Sequence, residues 1–477
     1  MITSDEMAVV DANSEALGVP RKQLMESSGN AVARAVRKRT TPGDAVALVC
    51  GRGNNGGDAM VAARFLSDRD VTVHLLGRAE TIGTDIAREN WDALEADTVE
   101  TRVAGDSADF ALGDPDLAVD AMLGTGVTGA LREPEATVAR ALNDADTPVL
   151  AVDVPSGVNA DTGEAAGLAV EADAVVTFHD TKPGLDALDA EVTVADIGIP
   201  AAAEEFVARG DLLRLSRTGD AHKGDHGEVL VVGGGPYTGA PALAARAAMR
   251  AGADLVRVAC PARIEREIQG YAAELIVRGF DADRLTPPVV DDLLDRAAAH
   301  DVVVLGPGLG SADATLDAVR AFLADYDGTA VVDADALQIV PDVETDATLI
   351  CTPHQGELRT MGGETADDPA ERAALVESFA AEVGHTLLVK GAQDVISDGE
   401  VTRRNRTGNP GMTVGGTGDV LAGTVGALAC RLRPRDAAAV GAYANGRAGD
   451  RLVDREGYGL LAGDLVDELP AALRKDD

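Results

Sequence analysis

The chain is poor in aromatic residues and in lysine. The first scarcity limits the residues that can form its core, and the second is part of a strongly acidic composition that excludes some classes of ligand. Phe, Trp and Tyr make up only 3% of its 477 residues, so its core must be built from Ala, Val and Leu. Only six of the 42 basic residues are lysines, and 80 acidic residues give a net charge of −38. Such a surface repels phosphate backbones and anionic lipids, which argues against nucleic-acid or membrane-surface binding. Excess carboxylate with scarce lysine also predicts adaptation to high salt, where screening weakens self-repulsion.

The chain also lacks paired cysteines and long apolar runs. Its four cysteines are scattered and form no CxxC pair, so we expect buried apolar thiols rather than disulfides or metal ligands. No apolar run approaches the roughly 18 residues of a membrane span, and the first residues are acidic rather than basic. We therefore expect a cytoplasmic protein. A hydrophobic fraction of 45% is ample for a folded core.

Short apolar runs alternate with Ala-rich helical stretches in two series. The first series covers 45–50, 71–76, 117–123, 148–154 and 173–178, and the second covers 228–234, 254–260, 301–308, 329–335, 347–353 and 386–391. Such runs predict buried parallel strands with helices between them. Residues 197–227 separate the two series and contain no clear strand. The pattern predicts two three-layer α/β/α domains, which we place at 1–213 and 214–477.

Polar side chains follow three strands of the first series. They are Asn55 and Asp58 in GRGNNGGDAM, Asp120 in VDAMLGTG, and Asp153 and Ser156 in VDVPSG. Because the carboxyl ends of adjacent parallel strands converge on one crevice, we expect these side chains to form one site. The glycine-rich turn before a helix also suits an anion, although a tight strand-to-helix turn needs glycine in any case.

In the second series, GGTGDVLAG (415–423) is the most informative segment. Gly415, Gly416 and Gly418 can leave backbone N–H groups pointing into an anion hole at a helix N-terminus. Lys390 in VKGAQD follows a strand and supplies a cation that suits a phosphate. A glycine run by itself could instead mark a close contact between two helices.

The motifs of both halves resemble those of known protein families. The first half resembles the NAD(P)H-hydrate epimerase domain through LMESSGNAVARAV, GRGNNGGDAMVAAR, DAMLGTG, DVPSGVNADTG and TFHDTKPGL, in that order. The second half resembles its usual fusion partner, the NAD(P)H-hydrate dehydratase of the ribokinase-like fold. The matching stretches are HKGDHGEVLVVGG, YTGAPALAARAAMRAGADLV, VLGPGLG, VVDADAL, TPHQGEL, VKGAQD and NPGMTVGGTGDVLAG. The resemblance implies a Rossmann-like epimerase domain, a ribokinase-like dehydratase domain and repair of hydrated nicotinamide coenzymes.

For the epimerase domain, the resemblance implies a site at the strand ends described above. The hydrated coenzyme would contact Asn54, Asn55, Gly56, Gly57, Asp58, Gly124, Thr125, Gly126, Val127, Thr128, Gly129, Ala130 and Asp153. Asn55, Asp120 and Ser156 match the ligands of a potassium ion, and oxygen ligands suit such a hard cation. The implied reaction inverts C6 of the ring through an iminium ion, with Asp153 as the candidate that gives and takes a proton. Asp153 could instead only cap the turn before Pro155.

For the dehydratase domain, the resemblance implies a nucleotide site beside a hydrate site. The nucleotide would contact Lys390, Gly391, Ala392, Gln393, Asp394 and Gly418, and the hydrate would contact Ala240, Gly308, His354 and Asp419. Asp419 is the expected base that assists phosphorylation of the C6 hydroxyl, after which phosphate leaves. We expect Mg²⁺, with Asp335 or Glu357 as weak candidate ligands, and ADP rather than ATP as the donor. His354 could be structural, and the role of Lys223 stays open.

Two alternatives compete with this interpretation. One is a hydroxymethylpyrimidine-type small-molecule kinase fused to a nucleotide-binding module, which the GTGD motif and the lysine of VKGAQD fit equally well. The other is a non-catalytic coenzyme-binding scaffold, although two intact candidate catalytic aspartates argue against it. TPHQGE, TGAP and the complete set of N-terminal motifs favour the repair enzyme. We expect small-molecule substrates and a homo-oligomer.

Overall fold

The computed structural model describes residues 1–126, 129–215, 222 and 224–475. These residues form two compact units, Met1–Ala203 and Glu204–Asp477. Each unit has a mostly parallel sheet with helices, so the predicted fold class of two α/β domains is confirmed. The described residues do not include two predicted contacts of the epimerase site, Val127 and Thr128, or Lys223 of the HKGDHG motif.

The sequence-based boundary at 213/214 lies later in the chain than the division between the two compact units. The segment 204–215 is held within the second unit, where Asp211 accepts a hydrogen bond of 3.1 Å from Nη2 of buried Arg403. The ring of Phe206 lies under the guanidinium of Arg406, 3.7 Å from the ring centroid. As a boundary between functional domains, 213/214 stays a prediction.

The first unit is built on a sheet of seven parallel strands. The strands are β1 (Ala45–Cys50), β2 (Asp70–Leu76), β3 (Glu100–Ala104), β4 (Leu117–Ala121), β5 (Val149–Val152), β6 (Ala174–Phe178) and β7 (Glu191–Ala195). The helices are α1 (Ser4–Ala16), α2 (Arg21–Arg39), α3 (Asn54–Phe65), α4 (Asp85–Glu95) and α5 (Glu135–Asn143), and α6 (Ala202–Glu205) lies at the division. The strand order is β3-β2-β1-β4-β5-β6-β7. The order reverses between β1 and β4, which places a crevice at their carboxyl ends.

The second unit is built on a larger sheet of nine strands. The strands are β8 (Glu228–Val232), β9 (Leu255–Pro261), β10 (Ile276–Phe280), β11 (Val302–Leu305), β12 (Thr329–Val332), β13 (Thr348–Cys351), β14 (Thr386–Val389), β15 (Asp394–Ser397) and β16 (Thr402–Asn405). The helices are α7 (Gly239–Ala251), α8 (Glu265–Gln269), α9 (Val290–Ala297), α10 (Asp313–Asp325), α11 (Gln355–Thr360), α12 (Pro369–Val383), α13 (Thr417–Ala429), α14 (Pro434–Glu456) and α15 (Ala462–Ala472). The order is β10-β9-β8-β11-β12-β13-β14-β15-β16, and only the last two pairings are antiparallel.

Both faces of the central strands of each sheet are buried, which explains the continuous apolar runs. In β8, Val229 and Val231 join one core cluster while Leu230 and Val232 join another. Small residues let the layers approach closely, since a Cβ at Gly423 of α13 would lie 2.0 Å from the carbonyl oxygen of Ala244 in α7. All four cysteines are free thiols; Cys50, Cys260 and Cys351 are buried as predicted, whereas Cys430 is only half-buried. Among the described residues, no helix combines the length and apolar character needed to cross a membrane.

Candidate active sites

The first candidate site is a cavity of about 580 Å³ at the carboxyl ends of β1, β4 and β5. The turn after β1 packs against the loop after β4 only because it is glycine-rich, since a Cβ at Gly51 would lie 1.8 Å from the carbonyl oxygen of Met122. The cavity wall includes seven of the predicted contact residues: Asn54, Asn55, Asp58, Gly124, Thr125, Gly126 and Asp153.

Four other predicted contacts of this site do not line the cavity. Gly56 and Gly57 lie in the first turn of α3 and face inward, where a Cβ at Gly56 would meet the carbonyl oxygen of Gly51 at 2.1 Å. Gly129 and Ala130 are exposed. The contacts assigned to these four residues stay a prediction.

Asn55, Asp120 and Ser156 meet at one point, around the backbone of Leu123. The amide of Asn55 donates to the carbonyl oxygen of Leu123 at 2.8 Å, and the Ser156 hydroxyl accepts from the Leu123 N–H at 3.0 Å. That hydroxyl and the Ser156 N–H both donate to Asp120 at 2.7 Å. Oδ1 of Asn55 is buried without a hydrogen-bond partner among the described residues. These three residues therefore lie together at the carboxyl ends of neighbouring strands, as the sequence pattern predicted.

Asp120 is fully buried, and burial raises the pKa of its carboxyl above the ordinary value. Hydrogen bonds from Ser156 and Met122 act against this effect. A buried carboxylate beside a free amide oxygen is a donor set that fits a hard monovalent cation. The described residues contain no cluster of three or more His, Cys, Asp or Glu side chains that could hold a metal ion.

Asp153 is held in an uncommon backbone conformation next to a buried lysine. Its φ of 67° is rare outside glycine and persists only where surrounding contacts enforce it. The Thr177 hydroxyl donates to its carboxylate at 2.9 Å, and the ammonium of Lys182 lies 3.3 Å away. These contacts aim the carboxylate at a side chain of β6 and at one after it rather than at its own turn, so Asp153 does more than cap that turn.

The sequence did not predict a role for Lys182, although this residue belongs to the motif TFHDTKPGL. Its side chain is 1% exposed, and its ammonium also donates to the Thr177 hydroxyl and to the carbonyl oxygens of Phe178 and Asp180 at 2.9–3.1 Å. The available signal was its rarity, since it is one of only six lysines. Asp58 completes the acidic wall; it accepts from Ser28, and burial raises the pKa of its carboxyl well above the ordinary value.

The second candidate site is a cavity of about 690 Å³ at the N-terminus of α13. Gly416 precedes this helix with a left-handed φ of 97°, which favours glycine. A Cβ at Gly418 would lie 3.2 Å from Nζ of Lys390, so glycine lets the lysine reach the first turn of the helix. Predicted nucleotide contacts in the wall are Lys390, Gly391, Ala392, Asp394 and Gly418. The helix N-terminus and the ammonium together suit a phosphate.

Lys390 and Asp419 belong to a charged group that also contains Asp333. The ammonium of Lys390 donates to Oδ1 of Asp333 at 3.0 Å. Burial by itself lowers the pKa of Lys390, but Asp333 and Glu357 reverse this effect and raise it. Burial, and then the charge of Asp333, raise the pKa of Asp419 to about 7, against the opposing charge of Lys390. A carboxyl with this pKa is suited to accept a proton near neutral pH.

His354 has a structural role in addition to its place in the cavity wall. It caps α11, since its Nδ1 accepts from the Glu357 N–H at 2.9 Å while its own N–H donates to the Glu357 carboxylate at 2.7 Å. Glu357 also lies 3.9 Å from Nζ of Lys390, so this weak candidate for Mg²⁺ stands at the site. Asp335 accepts from Gln338 instead, at 3.5 Å, and does not line the cavity.

Two pairs of predicted residues remain to be described: Ala240 with Gly308, and Gln393 with Asp394 at the start of β15. Ala240 and Gly308 come together, since a Cβ at Gly308 would lie 3.3 Å from that of Ala240; neither lines the cavity. Gln393 also lies outside the wall, with its Oε1 buried and without a partner among the described residues. Asp394 closes its own loop by accepting from Gly391 at 3.0 Å. Their contacts with substrates stay predictions.

Together the two sites define a two-domain α/β enzyme, with an acidic strand-end crevice in one unit and, in the other, a cavity at a helix N-terminus that suits a phosphate. A family model described as NAD(P)H-hydrate dehydratase matches residues 229–471, and one described as YjeF-related protein N-terminus matches 21–184. The chain is 42% identical to the bifunctional NAD(P)H-hydrate repair enzyme Nnr of Methanothermobacter thermautotrophicus, over 98% of this chain and 94% of that protein.

Further relatives agree with this match. The protein of the same name from Archaeoglobus fulgidus is 42% identical over 99% of this chain and 98% of its own. A solved ribokinase-like superfamily protein from Enterococcus faecalis V583 is 25% identical, covers 56% of this chain and 95% of its own, and gives a TM-score of 0.50. The chain belongs to the family of bifunctional NAD(P)H-hydrate repair enzymes, as its motifs predicted. The kinase and scaffold alternatives are not favoured.

Proposed function

We propose that this chain repairs hydrated NADH and NADPH in two steps. The first unit interconverts the R and S epimers at C6, and the second unit dehydrates the S epimer to the reduced coenzyme at the expense of ADP or ATP. The proposal rests on 42% identity to a bifunctional repair enzyme over 98% of this chain. In addition, each unit has an aspartate suited to proton transfer.

In the epimerase cavity, C6 of the hydrated ring is a hemiaminal carbon. The ring nitrogen expels the hydroxyl to form an iminium ion, and water then adds to the opposite face. Asp153, supported by Thr177 and Lys182, is placed to exchange a proton with the departing or arriving water. Residues 53–55 and 123–126 would hold the coenzyme beside it, since they line the same cavity.

We assign Asn55, Asp120 and Ser156 to a potassium ion beside this cavity. The unpartnered Oδ1 of Asn55 and the buried carboxylate of Asp120 support the assignment. A bound cation there would offset the buried negative charge and fix the loop after β4. Exchange of K⁺ for Na⁺ or a large organic cation should lower the epimerisation rate and the melting temperature; equal values in all three salts would contradict the assignment.

In the dehydratase cavity, the nucleotide phosphates would lie between Lys390 and the N–H groups at the start of α13. Asp419 accepts the proton of the C6 hydroxyl as that oxygen attacks the terminal phosphorus. The ring nitrogen then expels phosphate, which is a far better leaving group than hydroxide. Loss of the C5 proton returns the electron pair to nitrogen and regenerates the C5=C6 bond.

The charged group around Lys390 fits a magnesium ion that arrives with the nucleotide. Mg²⁺ is commonly held by one or two carboxylates together with substrate phosphates, and Glu357 offers such a carboxylate near Lys390. The ion would supply charge neutralisation for the transferring phosphoryl group. We favour ADP as the donor.

The test is a coupled assay with a racemic hydrate. Purified protein with Mg²⁺ and either ADP or ATP should restore the near-ultraviolet absorbance of the reduced nicotinamide until both epimers are consumed. Omission of nucleotide should leave epimerisation but stop recovery. Phosphorylation of a pyrimidine alcohol, without turnover of either hydrate epimer, would overturn the proposal in favour of a small-molecule kinase.

The working environment and assembly are also part of the proposal. The net charge of −38 supports function in concentrated salt, where like charges are screened. We also expect a homo-oligomer in the cytoplasm. Sedimentation at molar KCl would test the assembly, and a monomer at assay concentration would contradict it.

A further inference from the structure

Helix α1 is fixed beside the epimerase cavity by contacts before its start and near its end. The Ile2 N–H donates to the carbonyl oxygen of Thr181 at 2.9 Å, next to Lys182. Near the other end, the buried amide of Asn13 donates to the carbonyl oxygen of Ala203 at 3.0 Å. Thr3 and Glu6 form a capping box at the helix start. The helix therefore presents its inner face to the cavity in a defined position.

Asp11 on this helix contributes a carboxyl to the cavity wall. Asp153 in the same wall is bonded to Thr177 and Lys182, and Asp58 is bonded to Ser28. The carboxyl of Asp11 has no hydrogen bond or ion pair to any group in the described part of the chain. Its carboxyl is therefore available to a ligand in the cavity.

Burial favours the neutral form of the Asp11 carboxyl. Burial raises its pKa most; of the neighbouring charges, Arg21, Lys182 and His179 lower the pKa and Asp153 raises it, and the final value is about 6. The charged and titratable groups that act on it come from several elements: Arg21 of α2, Asp58 of α3, Asp153 after β5, and His179 and Lys182 after β6. A carboxyl of this kind is partly protonated near neutral pH, in contrast to an ordinary exposed aspartate.

An epimerase of a hemiaminal needs two proton transfers in one turnover. The departing hydroxyl needs a donor, and the water that arrives on the other face needs an acceptor. One carboxylate already paired with a lysine suits only the second task at the start of a turnover. We propose that Asp11 is the second acid–base residue of the epimerase site, a role that rests on the proposed epimerase function.

In this mechanism one aspartate donates a proton and the other accepts one. Neutral Asp11 gives its proton to the C6 hydroxyl, the C6–O bond breaks, and the ring nitrogen forms the iminium bond as water leaves. A new water bonds to C6 on the opposite face and gives its proton to Asp153, while the iminium electron pair returns to nitrogen. One water is lost and one gained, and a proton has moved from Asp11 to Asp153. The reverse epimerisation uses the same residues in exchanged roles.

The experiment compares Asp11→Asn with the full-length wild-type protein and with Asp5→Asn. Asp5 is an exposed carboxylate of the same helix outside the cavity, so it controls for the change in charge. Each isolated epimer is incubated without nucleotide, its conversion is followed by chromatography, and the spontaneous rate is subtracted. Asp11→Asn should lower kcat by about 10²–10⁴-fold with little change in KM, as expected for loss of a general acid.

The pH profile separates catalysis from a structural effect. The wild type and Asp5→Asn should show an inflection in kcat near pH 6, which Asp11→Asn should lack. Asp11→Glu should recover part of the rate. Dehydration of the S epimer in the same samples should stay at the wild-type rate. An Asp11→Asn variant with full epimerase activity, with the inflection preserved, or with dehydration lost as well would overturn the inference. A wild type that converts neither epimer would overturn the proposed function and this inference with it.

Discussion

Replacement of Asp419 by asparagine tests the dehydratase mechanism with the smallest possible change. The substitution keeps the shape of the side chain but removes its ability to accept a proton. Loss of a general base costs about 10²–10⁴ in rate, so kcat for dehydration of the S epimer should fall by that factor. Nucleotide affinity should be retained, because Lys390 and the N-terminus of α13 are untouched and one negative charge has gone.

The pH dependence of kcat for dehydration by the wild type should also show that Asp419 acts as the base. Burial and Asp333 raise the pKa of Asp419 to about 7, so the neutral form dominates below that pH. Only the ionised form can accept a proton, and about a tenth of the molecules retain it one pH unit lower. The kcat for dehydration should therefore rise with pH through about 7 and then level off. Asp419→Asn should lose this limb together with most of its rate.

The assay follows recovery of reduced coenzyme from the S epimer at saturating nucleotide, from pH 5.5 to 9. Epimerisation by the first unit of the same protein is the internal control for folding. A variant with normal kcat and a raised KM would mean that Asp419 only positions the substrate. Preservation of the limb near pH 7 in the variant would show that another group is responsible.

Three further predictions address the other parts of the molecule. Asp333→Asn should move the acid limb of dehydration to lower pH, because it removes a charge that raises the pKa of Asp419 and frees Lys390 to lower it; an unchanged kcat–pH profile would contradict this. Asp153→Ala should leave dehydration of the S epimer intact while use of a racemic hydrate stops near half; complete consumption faster than the spontaneous rate would refute it. Salt below ~0.5 M should lower the melting temperature, since Debye screening over ~4–5 Å is lost; a Tm that is constant from low to molar KCl would refute that reasoning.

The parallel strands could be predicted because burial on both faces leaves continuous apolar runs. All eleven predicted runs contain a strand. Edge strands β3, β7 and β10 were missed, because ETRVA and EVTVA each keep three exposed positions and IVRGF is interrupted by an arginine and a glycine, so none of them forms such a run. β15 and β16 also escaped, since they are short and antiparallel, and TRRN contains two arginines.

The candidate sites were predictable where strand topology determines them. Asn55, Asp120 and Ser156 meet because the ends of β1, β4 and β5 are neighbours in the sheet. Asp333 follows β12 as Asp153 follows β5, and the same rule would have found it in place of Asp335. Helical residues such as Asp11 follow no such rule, because the position of α1 depends on contacts between residues far apart in the sequence.

Lysine is scarce in this chain, yet both candidate sites contain one. Two of the six lysines are Lys182 and Lys390, and each lies against an aspartate at a strand end. The ammonium of Lys182 is 1% exposed and makes three hydrogen bonds within a small pocket, a geometry that a compact donor satisfies and a planar guanidinium does not. Lys390 approaches the first turn of α13 at Gly418, where a Cβ would lie 3.2 Å from its Nζ. In a chain whose other basic residues are mostly arginine, these two lysines each place a positive charge beside an aspartate at a strand end.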